Sequence, residues 1–450
     1  MMNSQGIKGP PYRFIHGNNK QAAQIKKETS IKSTGLTHDI FPRVQPHIYS
    51  WLNNYGKNYL YWKGTQAELV ITEPELAKEI LKNSEKAFLK RKLNAFDSKI
   101  LGEGLVMAEG EKWVKLRRLA NYVFHGESIK NMSPAVISSV ETMLEKWKVE
   151  EGREIEVFHE FRLLTSEVIS RTAFGSSYVE GEKIFNTLHK LSVMNMRNIH
   201  KNRIRFIGKF WRTADLVEAE KFVKVVKDSV MEIIKKREYK VLNGEAESFG
   251  HDFLGLLVNA YHEPDEKKRL SFEDLVEECR TFYFGGQETV HSLLSWTVLL
   301  LSIHGDWQEK ARREVMEIFG NQNPHPDGIA KLKTMSMIIN ETLRLYGSAN
   351  SMPREVAREV RLGKLVLPAN MHLLILNTAL HHDPQLWGDE VHLFRPERFA
   401  DGIAKATRYK RGCRYAMTLS PAYVHNPALI VTLQPQHGIQ VILEPLHNDD

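Results

Sequence analysis

The spacing of apolar residues along most of the chain predicts α-helices. The longest predicted helix covers residues 272–303, where Ser271 is suited to cap the N-terminus and Asp274 follows three residues later. About 32 residues at 1.5 Å each give a length of about 50 Å, which would cross a whole domain. The second half, from Ser292, is apolar on nearly every side, which predicts burial. A further helix is predicted over residues 330–346. Its apolar stripe consists of Leu332, Met335, Ile339 and Leu343.

Short apolar runs predict strands on either side of this helical region. Residues 59–72 have strand character around a turn at Gly64, and Pro74 is suited to begin a helix directly afterwards. Beyond Pro353 the helical spacing gives way to short strands. These are predicted at residues 360–362, 365–367 and 372–376.

The C-terminal pattern predicts a final hairpin. Apolar residues alternate in 429–433 and again in 439–443, and residues 434–438 would form the turn between them. The whole pattern therefore predicts a mainly α fold with small β-sheets. We expect one domain over residues 12–450, preceded by a polar stub at 1–11.

Composition and charge narrow the class of protein. Hydrophobic residues make up 42% of the 450 residues and charged residues 26%, as expected for a globular protein with a sizeable core. The net charge of +7 is mild for this length. It suits an anionic membrane surface or an acidic partner, whereas nucleic-acid binding would call for a concentrated basic stripe. We therefore expect no nucleic-acid partner.

The number of cysteines and the length of the apolar runs indicate the cellular compartment of the protein. Two cysteines, Cys279 and Cys413, exclude a disulfide framework and suit a reducing compartment. The longest apolar stretch, residues 293–303, is shorter than the roughly 20 residues that cross a bilayer. The N-terminal residues contain no apolar run long enough for an anchor. We expect a chain without a transmembrane anchor, either peripheral or cytosolic.

Two adjacent glycines interrupt the long helix at Gly285 and Gly286. Each glycine costs a helix about 1 kcal/mol relative to alanine. The missing side chains would let a flat ligand lie against the backbone, and Glu288 and Thr289 would then place a carboxylate and a hydroxyl beside it. Such a pair can deliver protons to a bound oxygen species. The alternative is a helix–helix crossing that requires small residues.

Other polar pairs have the spacing of one helix face. Trp113 and Arg117 are four residues apart, and both side chains can donate to a carboxylate, the arginine with two N–H groups. The alternative is a surface arginine that covers a half-buried tryptophan. Glu341 and Arg344 are three residues apart, which alone suggests an ordinary surface ion pair. Arg398, flanked by aromatic residues, requires an acid partner if buried, and Glu341 is the natural candidate.

Taken together, and in this order, these motifs resemble the cytochrome P-450 haem-thiolate monooxygenases, most closely the plant group called clan 72. The resemblance implies a triangular, mostly helical fold. It implies that Trp113, Arg117 and Arg354 bind the haem propionates and that Gly285 and Gly286 lie against the cofactor. Glu288 and Thr289 would be catalytic and handle protons. Glu341, Arg344 and Arg398 would form a scaffold triad.

The resemblance also implies cofactors and partners. It implies haem b bound by a cysteine thiolate, which favours O–O cleavage, and electrons from NADPH through a separate NADPH-cytochrome reductase. It implies hydroxylation of a small apolar metabolite with O₂ at the endoplasmic reticulum membrane. The basic and apolar segment 197–213 resembles the lid that contacts the membrane surface. The alternatives are a nucleic-acid patch and a solvated helix-loop-helix.

The chain departs from this family at the iron ligand. The family's cysteine loop, F-x-x-G-x-R-x-C-x-G, is not found between Thr407 and Leu419. We estimate that about 35 residues of the family pattern are lost around positions 408–418. Cys413 lies in this region without the phenylalanine and the two glycines that shape the loop, so we do not expect it to bind the iron. Cys279 is expected in the core. We also expect the chain to lack the membrane anchor typical of the family.

Other catalytic and metal motifs are not found in the sequence. It contains no G-x-S-x-G, P-loop or H-E-x-x-H pattern, and His381-His382-Asp383 has no suitably spaced partner for a metal. We therefore predict no metal ligand. Two functional hypotheses stay open: a haem monooxygenase, and a catalytically inactive relative that at most binds apolar ligands or a partner. Whether the chain is an enzyme is left undecided by the sequence.

Overall fold

A computed structural model gives the fold of most of the chain. The described residues are 2–30, 35–83, 86–92, 98, 102–198, 214–402, 416–419, 423–429 and 432–444. Cys413 lies outside them, as does the predicted lid 197–213 except for the backbone of its first two residues.

Helices make up most of the described chain, as predicted. In chain order they are α1 (Asn19–Ser30), α2 (Phe41–Val44), α3 (Pro46–Tyr55), α4 (Pro74–Lys82), α5 (Gly110–Val123), α6 (Gly126–Val149), α7 (Val157–Phe174), α8 (Tyr178–Asn198), α9 (Ala214–Leu242), α10 (Phe253–Tyr261), α11 (Phe272–Ile303), α12 (Gly305–Phe319), α13 (Pro326–Ile329), α14 (Lys333–Leu345), α15 (Asn377–His381) and α16 (Pro384–Trp387).

The long helix α11 has the predicted bounds and passes through the centre of the helical body. The Ser271 hydroxyl accepts a hydrogen bond of 3.0 Å from the Asp274 N–H, so the predicted cap is confirmed. The second half is buried, with Trp296 fully enclosed. Helix α7 packs along α11 and helps to exclude water from it. Burial of this apolar surface is the main stabilising term for such a helix.

The strands form small sheets. In chain order they are β1 (Leu60–Lys63), β2 (Gln66–Ile71), β3 (Phe88–Lys90), β4 (Glu154–Glu156), β5 (Ser351–Val356), β6 (Val360–Leu362), β7 (Leu365–Leu367), β8 (His372–Leu376), β9 (Ala416–Leu419), β10 (Pro427–Leu429), β11 (Leu433–Pro435) and β12 (Gln440–Glu444). The largest sheet has the order β1-β2-β8-β5-β3, with β2 and β8 parallel. Strands β3 and β5 are antiparallel and place Lys90 opposite Arg354.

The predicted C-terminal hairpin is wrong. Strand β11 pairs back onto β10, with Leu433 opposite Leu429, and β12 pairs with both β4 and β9. The reason is a tertiary contact between β11 and α11. The Leu433 carbonyl accepts hydrogen bonds from the Ser292 hydroxyl (2.6 Å) and the Trp296 indole N–H (3.0 Å), so β11 is held on α11 instead of turning into β12.

The first residues contact the domain directly. The Gln5 side chain donates to the Val366 carbonyl at 3.0 Å and accepts from the Val366 N–H at 2.6 Å. Met2 and Ile7 are buried in an apolar cluster with strands of the large sheet. Residues 2–7 therefore belong to the packed domain, although we expected them in a separate polar stub. Within the described part of the chain, no helix has both the length and the apolar character needed to cross a bilayer.

Candidate haem-binding site

A cluster of cationic and N–H donor side chains forms where β3, β5 and α5 meet. The Lys90 ammonium lies 5.8 Å from the centroid of the Trp113 ring and donates to the carbonyls of Leu105 (3.1 Å) and Ala108 (2.8 Å). Because Lys90 is opposite Arg354 in the sheet, two residues predicted to bind the same carboxylates, Trp113 and Arg354, are brought to one place. They are 241 positions apart in the sequence.

The electrostatics of this cluster favour an anion. Burial lowers the pKa of Lys90, and the neighbouring Arg354 lowers it further. Burial likewise lowers the pKa of Arg354, while Glu109 acts in the opposite direction on both groups. Arg117, one turn beyond Trp113 on the same exposed face of α5, adds a further positive charge. A carboxylate bound here would stabilise the charged forms of the cations, so the donor set fits the propionates of a haem.

A second feature is the open face of α11. An ideal Cβ at Gly285 would meet no described atom within 4 Å, and Thr289, one turn later, is also exposed. The Thr289 hydroxyl donates to the Gly285 carbonyl at 2.8 Å, and the helix stays α-helical throughout. The Ser348 hydroxyl donates to the Thr289 carbonyl at 3.2 Å. Arg354 follows Ser348 by six residues, so the Cα atoms of these two residues are at most about 20 Å apart.

Glu288 does not share this opening with Thr289. Its carboxylate is buried and accepts a hydrogen bond of 2.7 Å from Gln434, which also donates to Thr432. Burial raises the pKa of the Glu288 carboxyl to about 7. Consecutive helical residues point about 100° apart, so an acid and a threonine side by side in the sequence face different surroundings. Here Glu288 helps to hold the C-terminal segment on α11.

The two glycines also differ in their surroundings. An ideal Cβ at Gly286 would lie 2.7 Å from two side-chain carbons of Ile169 on α7. Gly286 is therefore part of a helix–helix crossing, whereas Gly285 borders open space. The helix-crossing alternative is confirmed for Gly286, whereas contact of Gly285 with a flat ligand stays a prediction.

A pair of alanine substitutions tests this division. Gly286→Ala is expected to destabilise the protein by about 1–2 kcal/mol, because the overpacking at Ile169 exceeds the gain in helix propensity. Gly285→Ala is expected to be neutral or to stabilise it by up to about 1 kcal/mol. Urea unfolding followed by circular dichroism measures both. Equal effects of the two substitutions would show that the crossing does not constrain Gly286.

The scaffold triad predicted around Glu341 is present. The Arg344 guanidinium makes two hydrogen bonds of 2.8 Å to the Glu341 carboxylate, and both side chains are buried. Arg398 Nε lies 3.6 Å from the same carboxylate. Arg344 also donates to the carbonyls of His381 (3.0 Å) and Val391 (2.8 Å). The triad therefore ties α14 to the 3-10 helix Pro396–Phe399, which contains Arg398.

The iron ligand is the part that the described residues do not supply. Cys279, the free cysteine among them, is fully enclosed in the core cluster that contains Tyr283. Burial raises the pKa of its thiol, which disfavours the thiolate. The prediction that Cys279 is a core residue is confirmed. The described residues thus fit the carboxylates of a haem and provide no accessible thiolate for its iron.

The comparisons with known proteins agree with this fold. The family model of Cytochrome P450 matches residues 43–412 and ends one residue before Cys413. The chain belongs to the cytochrome P450 family, as the ordered motifs predicted. Haem-dependent oxidation and an external source of electrons are general to that family, and the mainly helical fold with small sheets agrees with it.

Plant relatives match nearly the whole chain. Cytochrome P450 CYP749A22 of Panax ginseng is 48% identical, over 98% of this chain and 90% of that protein. The 11-oxo-beta-amyrin 30-oxidase of Glycyrrhiza uralensis is 37% identical, over 99% and 92%. The 7-deoxyloganic acid hydroxylase of Catharanthus roseus is 35% identical, over 99% and 93%. The first alignment has 474 positions, so at least 24 of them (474 less 450) have no residue in this chain.

The sequence-based account missed two groups of residues. Lys90 was not singled out, because a lysine in a short strand has no local signal for ligand binding. His382 was assigned to a polar loop, yet it is buried and lies beside Asp39 and His392. Only its unusual neighbours in the fold distinguish it.

Proposed function

We propose that this chain is a cytochrome P450 relative that binds a carboxylate-bearing apolar ligand, haem b first among candidates, but lacks the thiolate required for monooxygenase activity. The observation that carries the proposal is a contrast between the residues suited to bind the haem propionates and the cysteine available to bind the iron. The cations at Lys90, Arg117 and Arg354 are retained, while Cys279 is enclosed in the core. A haem bound through a thiolate would supply the electron density that favours O–O cleavage.

The relatives support the kind of ligand. The names of two of them state oxidation of 11-oxo-beta-amyrin and hydroxylation of 7-deoxyloganic acid. We infer that the pocket of this chain is adapted to small plant metabolites of comparable size. If a full ligand loop were present, hydroxylation of such a molecule with electrons from an NADPH-cytochrome reductase would be the expected reaction. The placement at the endoplasmic reticulum membrane surface remains a prediction from the family.

The test is the spectrum of the haem-reconstituted chain. We expect haem binding without the thiolate-type Soret shift when carbon monoxide meets the reduced protein. A variant with a family-type F-x-x-G-x-R-x-C-x-G loop inserted between Thr407 and Leu419 is expected to gain that shift. A thiolate-type shift in the unmodified chain, abolished by Cys413→Ser, would overturn the proposal.

A matched pair of arginines tests the cation cluster. Arg117→Ala is expected to weaken haem binding about 10-fold, because it removes a charge-assisted hydrogen bond to a propionate. Arg118→Ala removes the same charge from the next position of α5, which points away from Trp113, and is expected to have a much smaller effect. Titration of apoprotein with haem measures both. Similar losses for the two variants would mean that only the overall charge of the helix matters.

A further inference from the structure

Three distant segments bring two histidines and an acid together at the end of α14, away from the cation cluster. They are Asp39, which precedes α2, His382, which follows α15, and His392, in the loop after α16. One ligand atom from each side chain lies within 4.8 Å of the other two. The Asp39 Oδ1 and His392 Nδ1 atoms are 3.6 Å apart, and the two imidazole centroids are 5.6 Å apart.

His382 carries the strongest signal. Its side chain is 6% exposed, and its Nε2 lies 3.1 Å from the Leu345 carbonyl, which can only accept a hydrogen bond. The Nε2 atom is therefore the donor, and Nδ1 keeps its lone pair. Among the described residues, Nδ1 of His382 has no hydrogen-bond partner. A histidine that donates one ring N–H to a backbone carbonyl and presents the other nitrogen bare is the usual arrangement of a metal ligand.

We propose that Asp39, His382 and His392 bind a divalent transition-metal ion, with Zn²⁺ as the best match. Two imidazoles and one carboxylate are a donor set that Zn²⁺ accepts, with bonds of about 2.0–2.2 Å. Around a tetrahedral ion such atoms lie roughly 3.3–3.5 Å apart. The Asp39 and His392 atoms already have nearly this separation, and the set closes with a small movement of His382 or of its partners.

The surroundings supply an entry path and a further ligand. The Asp39 and His392 side chains are 38% and 34% exposed, so an ion can arrive from solvent. Because these two side chains are open to solvent, a water molecule from solvent would take the fourth position.

The neighbouring charges do not oppose the ion. The nearby cation Arg344 is neutralised by its two hydrogen bonds to Glu341. Asp383, the next acid in the sequence, is engaged by Lys57 at 2.6 Å and is not needed as a ligand. The rival explanation is a simple ion pair between Asp39 and a protonated His392, which needs no contact with His382 and predicts no Zn²⁺ binding.

Binding would connect the N-terminal segment to the loop that carries Arg398. The ion would join positions 39 and 392 and close a loop of most of the chain, so it would act on stability and leave ligand binding at the cation cluster unchanged. At a 100-fold excess over its Kd, a bound ion is expected to raise Tm by roughly 3 °C for a chain of this size.

The experiment is titration of the metal-free full chain with ZnCl₂ by calorimetry, with MgCl₂ as the hard-cation control. We expect one Zn²⁺ per chain with a Kd in the micromolar range or tighter, no comparable Mg²⁺ binding, and a tetrahedral-type visible absorption when Co²⁺ replaces Zn²⁺. His392→Asn and Asp39→Asn, both at partly exposed positions, should each weaken Zn²⁺ binding at least 10-fold.

The matched control is His262→Asn. His262 lies 2.8 Å from Glu238 and forms an exposed histidine–acid pair. Among the described residues, this pair is not part of a three-ligand group. This variant should bind Zn²⁺ as the parent does. Absence of saturable Zn²⁺ binding by the parent overturns the proposal, and so does binding that persists unchanged in both cluster variants. Haem titration is independent of this result, so failure here leaves the proposed function intact.

Discussion

Replacing Glu341 by glutamine is expected to destabilise the protein by about 3–5 kcal/mol. The carboxylate is fully buried, makes two hydrogen bonds of 2.8 Å to Arg344 and accepts a third, of 2.9 Å, from the Arg395 N–H. Glutamine has nearly the same shape but no charge. Two arginines, Arg344 and Arg398, would then share a buried site without their counter-charge, which is the costly outcome when one partner of a buried pair is removed. Urea unfolding followed by tryptophan fluorescence measures the loss.

The neighbouring helix offers a matched control. Glu309 and Arg312 on α12 have the same three-residue spacing, but Glu309 is 47% exposed. Glu309→Gln is expected to cost at most about 1 kcal/mol, because water already solvates and screens this pair. If the two substitutions cost the same, burial does not decide the strength of the Glu341 pair and the scaffold role fails.

Replacing Glu288 by glutamine is expected to stabilise the protein at pH 8 by about 3 kcal/mol and to have little effect near pH 4. Burial raises the pKa of the folded carboxyl to about 7, whereas the unfolded carboxyl titrates near about 4.3–4.5. At a pH between these two pKa values, the carboxyl has lost its proton in the unfolded chain but retains it in the folded chain. Ionisation therefore favours unfolding, and the stabilising contribution of the protonated form is lost as the pH rises through about 7.

The measurement is the difference in unfolding free energy between parent and variant at several pH values. The difference should grow from pH 4.5 to pH 7 and level off above that. Glu218→Gln, at an exposed position of α9, should give a difference that stays near zero throughout. A flat profile for Glu288→Gln would mean that water or a cation reaches the carboxylate. Such a profile would also mean that Gln434 does not shield this carboxylate from solvent.

The sequence predicted the local structure well wherever one pattern dominated. The bounds of α11, its serine cap and strands β6, β7 and β8 agree with the prediction. The predicted apolar stripe of α14 was only partly correct. Leu332 and Met335 are buried, but Leu343 is 37% exposed, and Glu341 and Arg344 occupy the buried face instead. A polar pair that is buried because of a distant partner, Arg398, cannot be recognised from the hydrophobic pattern of its own helix.

In the candidate site, too, the sequence identified some features, whereas the tertiary structure decided others. The order and spacing of the motifs identified the family. They also selected Trp113 and Arg354 as candidate haem-binding residues, because the family's motifs follow one another in a fixed order along the chain. The opposite faces of Glu288 and Thr289, and the different neighbours of Gly285 and Gly286, depend on which helix lies beside α11. The addition of Lys90 depends on one pairing in a sheet.

The sequence by itself determined the family, the helical body and the lack of a family-type cysteine loop, since these follow from residue order and local periodicity. The tertiary structure alone decided which side chains face one another across hundreds of residues. It sealed Glu288 beneath the C-terminal segment, turned that segment back onto β10, and brought Asp39 to His382 and His392. The physical reason is that burial and pairing are properties of the packed chain, and they set the charge, the pKa and the ligand capacity of each group.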